Sequence, residues 1–209
     1  MAKPSQTFIA GKKTGDHWRD TKLSLIVGGV PELWRQTFDE FFRTRLQLRY
    51  LGPIKVLQDT GEAIGEGFSI AAIQCSIIEF LESTVQGLKY RYVENEADLN
   101  PFEYSSSAKL FIAFLTKREP FKSAFTKKIA SDFYRNVRCA LLHEARTRNA
   151  WLIRAGDPAG RVIDPHDKIL FRDSFQDALL KFVDSFGAQL PTSVALQEAF
   201  IRKFDDLAE

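Results

Sequence analysis

Sulfur is scarce in this chain: Cys75 and Cys139 are the only cysteines among 209 residues, and Met1 is the only methionine. Two cysteines cannot frame a disulfide scaffold in a chain of this length, so both are expected as thiols in a reducing compartment. No apolar run approaches the roughly 18 residues of a membrane span, and the N-terminal stretch with Lys12, Lys13, Asp16 and Arg19 lacks the apolar centre of a signal peptide. A cytoplasmic location is the expectation. Histidine is nearly as rare. Cys139 and His143 stand four apart, a helix-face spacing, but His17 and His166 are isolated and no second ligand pair exists. Neither a metal site nor a cofactor is therefore expected. A thiolate and base made from the same pair competes with the simpler reading of a cysteine buried in an apolar helix. Phosphate-binding glycine loops are missing too. Gly61, Gly65 and Gly67 do not have dinucleotide-fingerprint spacing, and Gly11-Lys12-Lys13-Thr14-Gly15 is not a P-loop, so these glycines read as turns.

What the chain does have is phenylalanine, 18 of them against 5 tyrosines and 3 tryptophans, which predicts bulky core filling. Its charge is also uneven. From Lys117 to Arg154 there are ten lysines and arginines against three acids, which leaves the remainder net acidic although the whole is +2. A segregated basic face attracts phosphate and argues for an anionic partner; a solvated helix with spare lysines is the competing reading.

Residues 1–30 read as an irregular arm with at most one strand, at the apolar run Leu23 to Val27. A single domain is expected over 31–209. Pro31 suits a first helical turn, and Leu33, Trp34, Phe38, Phe41, Phe42, Leu46 and Leu48 carry helical spacing as far as Tyr50. Gly52-Pro53 breaks this run before a short helix through Ile54 and Leu57. An apolar segment from Phe68 to Leu88 predicts a buried central helix, with Glu79 at the edge of its buried face or paired with a buried base. A further short helix is expected over 108–116 and a long one over about 123–146. Trp151-Leu152-Ile153-Arg154, a turn through Gly156 to Gly160, and Arg161-Val162-Ile163 predict a β-hairpin. Helices over 173–186 and 192–207 close the chain. The expected class is all-α, with one small hairpin inserted before the last two helices.

The run Phe133-Tyr134-Arg135-Asn136-Val137-Arg138-Cys139-Ala140-Leu141-Leu142-His143-Glu144-Ala145 concentrates the chemistry. It resembles the HEPN superfamily of small helical domains, whose signature is an arginine, four to six residues and a histidine on one long helix; Arg138 and His143 have the shortest of those spacings. Tyr50-Leu51-Gly52-Pro53-Ile54, Gly67-Phe68 and Gln74 through Leu81 look like the preceding helices of bacterial HEPN-like proteins, so the resemblance covers about residues 35–185. Family members often place Asn, Asp or His directly after the arginine, whereas Cys139 follows Arg138 here. Asn136 instead follows Arg135, which is seven intervening residues from His143. On an ideal helix of about 100° per residue, Asn136, Cys139 and His143 lie within about 60° of one another, while Arg138 lies about 140° from His143.

The resemblance implies a HEPN-like bundle, a homodimer whose two motifs line one cleft, and metal-independent RNA cleavage through 2′-hydroxyl attack, often in toxin–antitoxin or defence systems with an antitoxin or activating partner. On that reading His143 carries the proton, Arg138 braces the phosphate oxygens and Asn136 orients the histidine or binds phosphate. Arg135, Arg146, Arg148, Lys127 and Lys128 are the candidates for holding the RNA backbone. The alternative is a non-catalytic dimeric helical module that binds RNA or a protein with the same basic helix.

Overall fold

A computed structural model describes residues 7–60 and 65–209, and their contacts cluster into two compact units. One unit takes 1–51, 83–105 and 185–209, the other 52–82 and 106–184. Helix predominates, as expected, and the sheets are small.

The first unit corrects the reading of the N-terminal arm. Its described part is not irregular. Phe8–Ala10 pairs with Lys13–Thr14, and Gly15–Ser24 is a helix, so Leu23 and Ser24 end a helix and no strand forms over 23–27. Thr14 caps that helix, its backbone N–H donating to Nδ1 of His17 at 3.1 Å. The segment is held down by Trp18, which is fully buried. Its ring meets Phe41 edge-on at 5.4 Å and Phe204 at 5.2 Å, and its Nε1 donates to Asp205 at 2.9 Å. The helical residues expected from Pro31 onward supply Trp34, Phe38, Phe41 and Phe42 to this aromatic core. Val194–Leu207 adds Phe200 and Phe204, whose rings stack at 4.4 Å. Gly187 has to be glycine for contact, because a Cβ there would stand 2.6 Å from the Phe38 ring.

The second unit is built on its own phenylalanines. Phe111, Phe133 and Phe175 form a near-parallel stack at 6.2 and 6.0 Å, and Phe114 meets Phe182 at 4.7 Å. Residues from the central helix, Glu66–Gln86, contribute Ile70, Ile77, Ile78 and Leu81. It is the one described helix long and apolar enough to pass for a membrane span, yet more than half of that stretch is buried inside the protein, as in a core helix.

The expected hairpin is replaced by a three-stranded sheet. Leu152–Arg154 and Ile163–Asp164 do not pair with each other. Ile169–Phe171 lies between them, parallel to the first and antiparallel to the second. The reason is burial: Ile169, Leu170 and Phe171 are all buried, and a short continuous apolar run takes the central position, where both edges of its backbone are satisfied. Of the glycines read as turns, Gly61 lies outside the described residues. Gly65 has φ +107°, and a Cβ at Gly67 would press on Arg172 and Ile153 at 3.3 Å.

Candidate functional site

The motif lies on a helix over 127–144 in the second unit. Thr126 caps it, accepting from the Ile129 N–H at 3.3 Å. Ala130, Phe133, Val137, Ala140 and Leu141 form its buried face, the helical spacing that fixes the orientation of everything else on it. Lys127 and Lys128 occupy its first turn, exposed, where the helix dipole already makes the surroundings positive; a lysine pair there is more comfortable beside an anion.

The helix does not keep α geometry. Tyr134–Cys139 is π-helical, with α-helical Lys127–Phe133 and Ala140–Glu144 on either side. A π turn advances fewer degrees per residue, so relative to an ideal helix Arg135 swings toward the line of His143 and Asn136 away from it. Exposure agrees: Arg135 and His143 are exposed, Asn136 and Arg138 half-buried. Arg138 has its guanidinium over the Tyr134 ring at 5.4 Å and one nitrogen 3.9 Å from Glu79, too far for a hydrogen bond. Glu79 also accepts from the Ser107 hydroxyl at 2.9 Å and is half-buried, which places it at the edge of the buried face. Burial pushes the Tyr134 hydroxyl above its usual pKa and the Cys75 thiol up to about 12, which leaves Cys75 an inert core thiol. Cys139 is a free, half-buried thiol. Among the described residues, no hydrogen bond or ion pair joins Arg138 to His143, and His143 has no such partner of its own.

Asn136 is committed elsewhere, donating to Asp132 at 2.8 Å. Asp132 was not foreseen in the sequence, yet it is the hub of this end of the unit. It also accepts from Asn149 at 3.0 Å and from the Trp151 indole at 2.7 Å. Lys168, contributed from the turn before Ile169, donates to the Asn149 carbonyl at 3.1 Å. These bonds fasten the segment 145–150, in which Ala145, Asn149 and Ala150 all have left-handed φ of 53°, 53° and 61° without being glycine. Such a conformation persists only where the surroundings impose it. The Arg148 N–H closes the loop by donating to the Asn136 carbonyl at 2.8 Å. The loop thereby returns Arg146 and Arg148 to the end of the helix, where both bind Glu144.

Burial by itself would raise the Asp132 pKa, but hydrogen bonds from Trp151 and Asn149, the Lys168 charge and the Asn136 bond outweigh it and hold the carboxyl below its usual range. A depressed carboxyl contributes stability above its unfolded value of about 3.9, and that contribution is lost as pH falls through the folded value. Asp132→Asn is expected to lower stability at pH 7 by about 1 to 2 kcal/mol, with the gap narrowing below about pH 4. Urea unfolding followed by tryptophan fluorescence checks it; a gap unchanged by acid would mean the carboxylate charge is not what holds the loop.

Three of the foreseen residues, Arg135, Lys127 and Lys128, are thus presented to solvent with His143, while Asn136, Arg138, Arg146 and Arg148 engage carboxylates of the protein. The described residues contain no group of three or more His, Cys, Asp or Glu arranged to hold a metal ion. No family model, no curated protein and no solved structure matches this chain.

Proposed function

We propose that the protein is a metal-independent endoribonuclease built as a HEPN-like bundle and acting in the cytoplasm as a homodimer. The observation that carries this reading is the exposed His143, without a hydrogen-bond or ion-pair partner among the described residues, five positions after a loosely held Arg138 on one basic helix. The RNA 2′-hydroxyl attacks the adjacent phosphorus, the bond to the 5′-oxygen breaks, and the products are a 2′,3′-cyclic phosphate and a 5′-hydroxyl. One proton leaves the 2′-oxygen and one reaches the departing 5′-oxygen. His143 is the side chain that carries a proton, and Arg138 braces the non-bridging oxygens as charge builds on them. Because Arg138 and His143 project in different directions from their helix, a cleft lined by two copies of the motif is the natural way to bring an arginine and a histidine onto one phosphate. An antitoxin or activating partner fits the same reading.

Incubation of the pure protein in EDTA with mixed-sequence RNA and a tRNA pool, followed by analysis of product ends, tests it. Cuts that leave 2′,3′-cyclic phosphates support the nuclease. The engagement of Arg138 by Glu79 and Tyr134 favours a second reading, an RNA-binding module without catalysis. It predicts RNA shifted but never shortened, with affinity falling as salt rises. A monomer by light scattering at micromolar concentration would remove the shared cleft.

A further inference from the structure

Immediately after His143, Glu144 receives two arginines. Its Oε2 accepts from Nε of Arg146 at 2.9 Å and from Nε of Arg148 at 3.0 Å, and Arg148 Nη2 also contacts Oε1. Neither arginine reaches this place by chance. Ala145 turns left-handed directly after the helix and sends the chain back, and the Arg148 backbone is tied to the Asn136 carbonyl. Two guanidiniums converging on one carboxylate hold two oxygens that share one negative charge, which is also what the non-bridging oxygens of a phosphodiester present. The side chains of Arg146 and Arg148 are 65% and 51% exposed and that of Glu144 28%. Pairs this open to water are weak and readily exchanged for another anion.

We propose that Arg146 and Arg148 form a seat for one phosphate of an RNA backbone and that Glu144 fills this seat in the free protein. This rests on reading the chain as a protein that acts on RNA. Glu144 is then a specificity element: a backbone phosphate must displace a carboxylate already in place, so isolated weak contacts are rejected and RNA that engages the rest of the helix is admitted. The neighbouring basic side chains, Arg135 and His143 among them, supply those further contacts.

The test measures the affinity of a 2′-O-methyl RNA, which cannot be cleaved, for the full chain and four variants. Glu144→Gln is expected to bind about three- to tenfold more tightly than the parent, the gain from removing two exposed pairs. Glu119→Gln controls for a general loss of negative charge, since Glu119 is an exposed acid paired with Lys122 in the same basic stretch. In an Arg146→Ala/Arg148→Ala background, Glu144→Gln is expected to change nothing. A gain equal to that of Glu119→Gln, or one that survives loss of both arginines, overturns the seat. Cleavage of ordinary RNA by the parent is assayed alongside. If the parent cleaves but the Glu144 effect is absent, the seat is wrong and the nuclease stands; if the effect is present but no RNA is cut, the seat stands and the nuclease does not.

Discussion

His143→Ala is expected to reduce RNA cleavage by about a hundred- to ten-thousandfold, the range lost with a proton-transferring side chain, while leaving the helical spectrum and melting temperature of the parent. The two halves of that expectation have different sources. Loss of activity follows from histidine being the one side chain of the motif that can both take and give a proton near neutral pH. Retention of the fold follows from position: His143 is exposed and, among the described residues, has no hydrogen-bond or ion-pair partner, so its removal leaves no buried group unsatisfied. Arg138→Ala is expected to remove about a hundred- to a thousandfold by the loss of charge facing the transition state. It also removes the ion pair to Glu79 and uncovers Tyr134, so some stability should go with it. Arg138→Lys keeps the charge but not the planar fork, and recovery should be partial. Full cleavage by His143→Ala would sink the nuclease reading. Full cleavage by Arg138→Ala alone would make Arg138 a packing residue of the Glu79 cluster and put the phosphate-bracing role on Arg135, which the π turn brings toward the line of His143.

The helices were legible in the sequence because their buried faces are written in large apolar residues at helical spacing: Trp34, Phe38 and Phe41 in one unit, Phe133, Val137, Ala140 and Leu141 in the other. Residues 7–30 were not. Gly15–Ser24 is polar throughout except for Trp18 and Leu23, and only a partner aromatic cluster, distant in sequence, makes one tryptophan enough to hold a helix. Its cap, Thr14 with His17, departs from the usual Ser/Thr with Glu/Gln pattern. Ile169–Phe171 was missed for a similar reason: three apolar residues announce burial but not the strand pairing on both sides that makes them central. At the site, composition and spacing pointed to Arg138, His143 and the basic residues around them. They gave no sign of Asp132, whose importance depends on Asn149 and Trp151 coming back to the helix through left-handed turns at alanine and asparagine, or of the π stretch that re-aims Arg135 and Asn136. Both effects are tertiary and leave no periodic trace.

Arg118→Ala is expected to lower stability by about 3 kcal/mol, because it takes the countercharge from a carboxylate with no exposed surface. Glu82 lies one helical turn beyond Glu79 and, unlike it, faces fully inward at 0% exposure. Arg118, directly after the helix Ser107–Lys117, meets it fork to fork, Nε to Oε2 at 2.8 Å and Nη2 to Oε1 at 2.9 Å. A pair of this kind adds little over an apolar contact of the same shape, yet breaking it from one side is expensive because the remaining charge stays desolvated. In a domain of this size the loss corresponds to a fall in melting temperature of roughly 6 to 12 °C, read by circular dichroism. The informative comparison is the double variant. If desolvated charge is the cause, Glu82→Gln in the Arg118→Ala background should raise the melting temperature above that of Arg118→Ala alone, since the neutral amide keeps the shape and removes the charge. A double variant no more stable than the single would locate the loss in the packing of the arginine's aliphatic stem. In either case the lost pair joins the central helix to the residue after Ser107–Lys117 and involves none of the motif residues, so RNA cleavage by the folded fraction is expected to be unchanged.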